Sequence, residues 1–472
     1  MTENGMAMSG VKDELGVEYR SWIEQLTGST IANTTREFAG GSRELWYVDL
    51  DSPVTGTDRL SRFPRNLVLR IDSGVGPLSD TRFNLLREAS VYTALEKTSV
   101  PVPAIFGITK DNRALLMERI SGSSRLPTST TEAIGGLRSL LISLEALHSL
   151  DPTSLDLPTF IQFDNMADCV LEEIYYWQNL AQRTTHQADP LVALAFSWLS
   201  TNTPTTTRQP RLVQGDTGPG NFVMENGRVN ALVDWELSHF GDPMEDIAWL
   251  DQRCTKSPAP FGDTALRDQL YEELSGSPLD LTAVSFYAVF VRLRCVIITD
   301  LTISSGGGSL GLNVYYPPHH QFRVELATAL CEVMKVQPAW LKSSHITVQN
   351  MDIPVDTSTE SEIIRDLEVT TQQHRLRGAE KLKLREETLA LEHQQASTLL
   401  EVVLRNEDRR DCIETLGGDF SQEELVELAT SRDPTDHLEL IGLLHRMSQR
   451  AALLWTFPIS GTFAPIRISL RN

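Results

Sequence analysis

Two short segments, Val213-Gln-Gly-Asp-Thr-Gly-Pro-Gly-Asn221 and Ala231-Leu-Val-Asp-Trp-Glu-Leu237, are separated by a short hairpin and carry the most information in this chain. Asp216 stands five residues before Asn221, and Asp234 ends an apolar run that reads as a strand. A carboxylate at the end of a buried strand is costly unless it binds a cation or finds a partner. Carboxylate and amide oxygens suit Mg²⁺, so the spacing predicts a base and two metal ligands around a phosphoryl group.

Each residue of the pattern also has a plain structural interpretation. Asp216 and Asn221 flank Gly218-Pro219-Gly220, and an Asp/Asn-rich hairpin turn of this kind is common. The same turn can fold the Asn221 amide back toward Asp216, where a carboxylate could act as general base for a hydroxyl. Asp234, eighteen positions after Asp216, favours the functional interpretation, because the turn alone does not require it.

The residues around Asp234 are predicted to support the site. Glu236, two positions on, faces the same side and could support the metal or the loop. Asp242 can first of all cap the helix that follows Pro243. Its spacing also suits a carboxylate that braces the catalytic loop from behind, and we favour bracing over direct catalysis. His239 is predicted to be a neutral loop histidine, with a substrate contact as the less favoured alternative.

Composition excludes several classes of function. The chain has 472 residues, a hydrophobic content of 41% and a net charge of -21, so nucleic acid and anionic membranes are not expected partners. An acidic surface would tolerate a cationic small molecule, although acidity is commonly only a solubility feature. Five scattered cysteines, the absence of a signal-peptide pattern and the absence of a long uncharged apolar run predict a cytoplasmic protein without a membrane span.

The chain length predicts more than one domain. Alternating and amphipathic patterns predict an α+β small lobe followed by a mainly helical lobe, a polar linker and a charged helical region without a catalytic motif. A helix is expected at 81–97, a glycine-containing turn that runs into a strand at 38–50, further strands at 66–71 and 114–120, and a capping-box helix after Ser421. The predicted boundaries are 14–120 for the small lobe, 121–338 for the helical lobe, 339–359 for the linker and 360–472 for the helical accessory region.

These segments resemble the aminoglycoside phosphotransferase / choline kinase-like superfamily, in which an H-G-D-x-x-x-x-N motif is followed by D-x-E on the next strand. The resemblance extends over roughly residues 20–335 and is carried by further matching positions: Arg70, Glu88, Val100-Pro-Val-Pro103, Met117-Glu-Arg119 and Leu147-His148. In detail the chain is most similar to the subgroup containing the kinase-like domain of acyl-CoA dehydrogenase family members 10 and 11. The resemblance implies an α+β, two-lobed protein-kinase-like fold, with an appended C-terminal helical region.

The resemblance also implies a role for each matching residue. Asp216 would be the catalytic base, and Asn221 and Asp234 the Mg²⁺ ligands. Arg70 would contact the ATP phosphates and pair with Glu88. The loop over the phosphates would contain Gly40, Gly41 and Ser42, and the adenine-binding hinge Met117, Glu118 and Arg119.

Two positions depart from the family pattern. Gln214 replaces the motif histidine, which supports the catalytic loop and is not the base, and glutamine still offers an acceptor and donors. Arg70 stands where many relatives have a phosphate-binding lysine; arginine keeps the charge, and the subgroup named above also tends to carry it.

The expected function is ATP- and Mg²⁺-dependent transfer of the γ-phosphoryl group to a hydroxyl of a small molecule. The acceptor would be a hydroxyacyl thioester-like metabolite or an aminoglycoside-like compound, bound by residues from about 150–200 and 260–330. The alternative is a catalytically weak nucleotide-binding or scaffold protein, favoured by Gln214 alone. Self-association or partner binding through the C-terminal helices remains open.

Overall fold

The structure is a computed structural model, and it describes most of the chain. The described residues are 14–37, 43–55, 63–74, 76–184, 189–206, 208–306, 313–341, 363, 378–431 and 434–460. The expected phosphate-loop residues Gly40, Gly41 and Ser42, and most of the predicted linker, lie outside them.

The small lobe is an antiparallel sheet between two helices. Among the described residues its strand order is β1-β2-β3-β5-β4. Helix α1 (Val17–Thr27) packs on one face, and α2 (Leu85–Leu95) packs on the other. The strands are β1 (Ile31–Glu37), β2 (Glu44–Leu50), β3 (Asn66–Ile71), β4 (Ile105–Ile108) and β5 (Ala114–Glu118).

Strand β3 alternates between the two faces of the sheet. Leu67 and Leu69 are fully buried in the cluster under α1. Val68 packs against the larger core on the opposite side, and Arg70 contacts α2 on that side. The alternation of this strand therefore directs a guanidinium into the space between the lobes.

In the small lobe, the sequence-based assignments miss strands β1 and β4 and place the start of α2 too early. β1 is mostly polar and exposed, which suits an edge strand but hides the apolar alternation. β4 is a four-residue edge strand directly after the Pro-rich segment that ends α2. α2 begins at Leu85 and not at Thr81, because the Asn84 side chain accepts a hydrogen bond from the Arg87 N–H and caps the helix.

The helical lobe surrounds two short β-ladders. β6 (Arg211–Val213) pairs with β9 (His239–Gly241), and β7 (Phe222–Glu225) pairs with β8 (Arg228–Leu232). The helices are α3 (Thr130–His148), α4 (Met166–Ala181), α5 (Pro190–Thr201), α6 (Met244–Cys254), α7 (Thr264–Ser275), α8 (Leu281–Ser304) and α9 (Tyr316–Val333).

Helix α8 is the central helix of this lobe. By length and apolar composition it is the one helix among the described residues that could cross a membrane, yet most of it is buried inside the protein. Its Arg292, Arg294 and Asp300 are also buried. A core helix of a large protein has this hydrophobic character on all sides.

The described part of the C-terminal region consists of three helices that pack on the helical lobe. They are α10 (Gly378–Leu416), α11 (Gln422–Ala429) and α12 (Pro434–Ser460). α11 begins with the capping box between Ser421 and Glu424, as predicted. α11 packs against α5, and α12 packs against both α9 and α10.

The accessory helices share the hydrophobic core of the helical lobe. Leu425, Leu440 and Leu444 belong to the same cluster as the residues of α3 to α9. A buried hydrogen bond of 3.1 Å joins Thr328 Oγ1 on α9 to His445 Nε2 on α12. The expectation of a bundle appended beyond a linker therefore understates how closely these helices join the lobe; the domain boundaries themselves remain a prediction.

The first residues of the predicted linker are also held in place. The Leu341 N–H donates to Gln449 Oε1 at 2.9 Å, and Gln449 Nε2 donates to the Ala339 carbonyl at 3.0 Å. The chain therefore leaves the helical lobe against α12, up to the last residue described before position 363.

Candidate active site

Asp216 lies in the loop after β6, at the boundary between the two lobes. Asn221 Nδ2 donates to Asp216 Oδ2 at 2.6 Å and to the Asp216 carbonyl at 2.8 Å. Burial raises the pKa of Asp216 above its usual value, and the Asp234 carboxylate raises it further, whereas Arg253 opposes the rise. The structure thus brings Asp216 and Asn221 into direct contact, and the two aspartates are near enough to interact.

Arg253, at the end of α6, is a site residue that sequence reasoning missed. Its Nη1 lies 2.8 Å from Asp216 Oδ1 and 2.9 Å from Oδ2, and its Nη2 donates to the Pro219 carbonyl at 2.6 Å. The two glycines of the turn admit this side chain. A Cβ on Gly218 would lie 2.5 Å from Arg253 Cβ, and one on Gly220 would lie 3.0 Å from Nη2.

Asp234 lies two residues after the end of β8, with φ at 63°. This left-handed backbone is uncommon for a residue with a side chain, although Asp tolerates it better than most, and it often occurs at functional sites. The Asp234 N–H donates to Tyr92 Oη at 3.1 Å, and Oδ1 lies 2.8 Å from Arg70 Nη2. Burial acts to raise the pKa of Asp234, but Arg70, Arg43 and Arg253 together outweigh it and the pKa is lowered.

Glu88 on α2 is fully buried between two arginines. Its Oε1 lies 3.0 Å from Arg70 Nη1, and its Oε2 lies 2.7 Å from Arg43 Nη1. Arg43 Nη1 is also 3.2 Å from Glu236 Oε2, and Nη2 donates to the Phe83 carbonyl at 2.5 Å. The expected Arg70–Glu88 pair is present, and it belongs to a larger network whose second arginine, Arg43, was not predicted.

The surroundings of Glu236 raise the pKa of its carboxyl group. Burial, followed by repulsion from Asp234, raises the pKa of Glu236 to about 7, although Arg43 acts in the opposite direction. Its neighbour Trp235 is fully buried in the core.

Gln214 is completely buried and joins the segments that hold the two predicted metal ligands. Its Nε2 donates to the Val233 carbonyl at 2.8 Å and to the Asn221 carbonyl at 3.2 Å. Its Oε1 accepts from Thr217 Oγ1 at 3.0 Å, and its N–H donates to Asp246 Oδ2 at 2.9 Å. Both ends of the amide are therefore used in support of the loop.

The carboxylate that braces the catalytic loop is Asp246, and the prediction that Asp242 has this role is wrong. Asp246 Oδ1 accepts from the Gly215 N–H at 3.0 Å, in addition to its bond with the loop through Oδ2. Asp242 instead accepts from the Met244 N–H at 3.0 Å and pairs with Arg208 at 2.7 Å. The first turn of α6 points Asp246 back at the loop, while Asp242 helps to begin the helix.

The predicted hinge lies at the end of β5. Met117 is buried, and its strand register places it opposite Val68 on β3. The Glu118 N–H donates to the Ala104 carbonyl at 2.8 Å, and Glu118 Oε2 accepts from the Ala104 N–H at 3.3 Å. These bonds fix the strand end, and the contact of this segment with adenine stays a prediction.

Arg119 lies against β2. Its guanidinium carbon is 4.1 Å from the centre of the Tyr47 ring, and its Nη1 is 3.6 Å from Asp49 Oδ1. Tyr47 faces the same side of the sheet as Val68, which is its partner in the register. Arg119 is therefore held near the predicted adenine site by its contact with the Tyr47 ring. Sequence reasoning did not anticipate this contact.

The sequence predicts that His239 lies in a loop, but the residue is buried on β9. Its Nδ1 faces the Leu237 carbonyl at 3.0 Å, and its Nε2 lies 3.2 Å from Glu245 Oε2. Burial acts to lower the pKa of His239, but Glu173 and Glu245 outweigh it and the pKa is raised. Both ring nitrogens face oxygen acceptors, which favours the charged form over the neutral form expected from sequence.

The described residues contain no cluster of three or more His, Cys, Asp or Glu side chains suited to a metal ion. Mg²⁺ does not require such a cluster, because it commonly takes one or two protein oxygens together with phosphate and water. Asn221 turns its amide nitrogen toward Asp216, so its oxygen faces away from that carboxylate. The Asn221 amide oxygen and the ionised Asp234 carboxylate together are oxygen donors of the type that Mg²⁺ uses with a nucleotide.

A cavity of about 290 Å³ lies within the regions predicted to bind an acceptor. Its walls come from α4, α5 and α8, with Thr430 contributed by the C-terminal region. Asp216, Asn221 and Asp234 are not among its lining residues, so the cavity is not the cleft that contains them.

The family comparison agrees with this geometry. Residues 55–279 match the phosphotransferase enzyme family, a range that includes Asp216, Asn221, Asp234 and Arg253. The chain contains a domain of this family. The matched range runs from the small lobe to the residues between α7 and α8, and the described residues show the predicted two-lobed α+β architecture.

Curated relatives of the phosphotransferase domain have different overall lengths. Acyl-CoA dehydrogenase family member 11 of Rattus norvegicus is 30% identical over 187 residues, which cover 37% of this chain and 24% of that protein. The chain therefore matches about a quarter of that relative. Hygromycin-B 4-O-kinase of Escherichia coli is 24% identical over 282 residues, which cover 52% of this chain and 77% of the kinase.

Among solved structures, one similar chain is a thermostable mutant of aminoglycoside phosphotransferase APH(4)-Ia in complex with ADP and hygromycin B. Its TM-score is 0.46 at 15% identity, with coverage of 66% of this chain and 98% of that one.

Proposed function

We propose that the chain is an ATP- and Mg²⁺-dependent phosphotransferase that acts on a hydroxyl of a small molecule. The observation that carries the proposal is the joint placement of Asp216, Asn221, Asp234 and Arg70 between the lobes. A carboxylate base, two oxygen ligands and a phosphate-binding cation are the parts that phosphoryl transfer needs.

Asp216 would orient the acceptor hydroxyl and accept its proton. Arg253 holds the carboxylate by both oxygens, and Asn221 adds a bond to Oδ2, so its direction is set before a substrate binds. The raised pKa moves Asp216 toward the operating pH, which suits a general base.

Asn221 and Asp234 would hold Mg²⁺, and Arg70 would contact the nucleotide phosphates. Bound Mg²⁺ supplies positive charge that offsets the charge developing on the transferring group. Arg70 presents a planar fork already oriented by Glu88, so little side-chain entropy is lost when it binds phosphate.

The acceptor is proposed to be a hydroxyacyl thioester-like metabolite or an aminoglycoside-like compound. Similarity to acyl-CoA dehydrogenase family member 11 supports the first class, and similarity to hygromycin-B 4-O-kinase supports the second. A panel that measures ADP release with hydroxyacyl-CoAs, amino sugars and amino alcohols separates them.

Thermal unfolding with ADP or a non-hydrolysable ATP analogue, with and without Mg²⁺, tests the nucleotide site. We expect stabilisation that is larger with Mg²⁺, since a ligand that binds only the folded state raises its stability. No shift in either condition would contradict the proposal.

Two substitutions test the assigned roles. Asp216→Ala is expected to abolish turnover and to leave nucleotide binding intact. Asp234→Asn tolerates the left-handed backbone, removes the charge, and is expected to weaken Mg²⁺-dependent binding. Full activity in Asp216→Ala would show that another group is the base.

The alternative of a catalytically weak binding protein rested on Gln214. This side chain bonds the segments of both predicted metal ligands, so its contacts are compatible with an active site. Acceptor-dependent ADP release decides between the two functions.

A further inference from the structure

Two arginines of the small lobe each reach one carboxylate of the segment Asp234-Trp-Glu236. Arg70 contacts Asp234, and Arg43 contacts Glu236. One carboxylate, Glu88, holds both arginines through its two oxygens. Placing two guanidinium groups side by side is costly, and a buried shared carboxylate offsets that cost.

Nucleotide binding would require the Arg70–Asp234 salt bridge to open, but it would not require this of the Arg43–Glu236 salt bridge. Asp234 and Arg70 are the proposed metal ligand and phosphate contact, so their mutual ion pair must give way when both engage the nucleotide. Arg43 is 4% exposed and Glu236 is 13% exposed at the side chain, whereas Asp234 is 30% exposed. The Arg43–Glu236 bridge is therefore the better shielded of the two and does not need to open.

We propose that Arg43 is a positioning residue of the nucleotide site, which keeps the Asp234-Trp-Glu236 segment aligned with Arg70 while the Arg70–Asp234 pair opens. The inference rests on the proposed function. In this arrangement Glu236 serves Arg43 and is not a metal ligand.

The anchoring of Arg43 supports this role. Its guanidinium bonds Glu88 on α2, the Phe83 carbonyl before α2, and Glu236 in the helical lobe. It directly precedes β2, which begins at Glu44. Arg43 therefore joins the start of β2 to two other parts of the site. One is α2, whose Glu88 holds Arg70, and the other is the segment that contains the proposed metal ligand.

A double-mutant cycle of Arg43→Gln and Glu236→Gln tests the proposal by nucleotide affinity. The dissociation constants of ADP and of a non-hydrolysable ATP analogue are measured by titration calorimetry, with and without Mg²⁺, together with the Tm of each ligand-free variant. Arg113→Gln, which removes a half-exposed arginine of the small lobe 3.9 Å from Asp72, is the matched control.

Each single substitution is expected to weaken nucleotide binding about tenfold, within the usual range for coupled charged neighbours. The double variant should be no weaker than the weaker single variant, because the bridge is already broken. In both single variants the loss should be larger with Mg²⁺ than without it, because the segment that Arg43 aligns contains the proposed metal ligand Asp234. Arg43→Lys should recover part of the affinity, since it keeps the charge but cannot hold all three acceptors.

Other outcomes overturn the inference in distinguishable ways. A lowered Tm with unchanged affinity would leave Arg43 a purely structural residue, and multiplying losses in the double variant would show independent action. A loss confined to Glu236→Gln and to Mg²⁺-containing samples would make Glu236 a metal ligand. Each of these leaves the proposed function standing, whereas a wild-type chain that binds no nucleotide overturns both.

Discussion

Arg70 Nη2 lies 2.8 Å from Asp234 Oδ1, so the proposed phosphate-binding cation and the proposed metal ligand contact each other directly. The same guanidinium holds Glu88 through Nη1. In the proposed function, a nucleotide with its metal would have to replace this pair, and the free energy of the pair would be subtracted from that of nucleotide binding.

Arg70→Lys is expected to raise the KM for ATP about tenfold with a smaller effect on kcat, a difference of roughly 1.4 kcal/mol. A lysine ammonium can hold Glu88 or Asp234 but lacks the fork that spans both. Steady-state kinetics with varied ATP measure the change. An unchanged KM would remove Arg70 from the proposed phosphate site.

Arg253→Gln is expected to reduce kcat about 100-fold, the lower end of the contribution of a positioned general base. The substitution removes the bonds to both Asp216 oxygens and the bond to the Pro219 carbonyl. The KM for ATP should change little, because Arg253 contacts neither Asp234 nor Arg70 among the bonds described. Arg253→Lys should recover part of kcat, and a loss caused by unfolding would appear as a lowered Tm.

Gln214→Ala is expected to destabilise the fold by about 1–3 kcal/mol, because it removes the side-chain donor to the Val233 carbonyl. The Asn221 carbonyl also loses its bond to Gln214 but still accepts from the Val233 N–H at 2.9 Å. Gln214→His should preserve or raise activity if glutamine only substitutes for the supporting histidine of the family. Urea unfolding and ADP-release assays of the two variants measure these effects, and inactive but stable Gln214→His would contradict this view.

The lowered pKa of Glu173 predicts that the folded protein loses stability in acid. Burial acts to raise the pKa of Glu173, but His239, Arg82 and Arg294 outweigh it and lower the pKa to about 2. A depressed folded-state pKa stabilises the protein above the unfolded value of about 4.5, and that stability is lost as the pH falls toward about 2. Glu173→Gln should lower Tm at neutral pH and flatten its fall between about pH 4.5 and pH 2, as followed by circular dichroism.

Leu440→Ala on α12 is expected to cost about 2–5 kcal/mol, the range for deleting a buried leucine side chain. Leu440 is fully buried in the shared core, whereas Val402 on α10 is 73% exposed. Val402→Ala, the control, should change stability by less than about 0.5 kcal/mol. If nucleotide-stabilised unfolding is unaffected by Leu440→Ala, the C-terminal helices fold independently of the nucleotide site.

The residues predicted well from sequence are those whose partners are near in the chain or matched a family motif. Asp216 and Asn221 meet through a glycine turn of a few residues, so their spacing carries the geometry. Gln214 was expected to support the loop, and its amide bonds do so.

Arg43, Arg253 and Asp246 could not be assigned in the same way, because their contacts depend on packing. Arg43 meets Glu88 45 residues away, and Arg253 meets Asp216 37 residues away. One available signal was the pair Gly218 and Gly220, whose missing side chains leave the space that Arg253 fills. Asp242 and Asp246 are one helical turn apart, and only the direction of α6 shows which of them faces the loop.

Because α9, α11 and α12 share the core of the helical lobe, the family match and the hydrophobic core of this protein end at different places. The family match ends at residue 279, but the apolar surfaces it packs against continue to α12. A gene fragment that ended at residue 279 would lack α8 and α9, and it would expose to water the surfaces of α4, α5 and α6 that pack against them. In this chain the segment that matches the family is therefore shorter than the hydrophobic core to which it belongs.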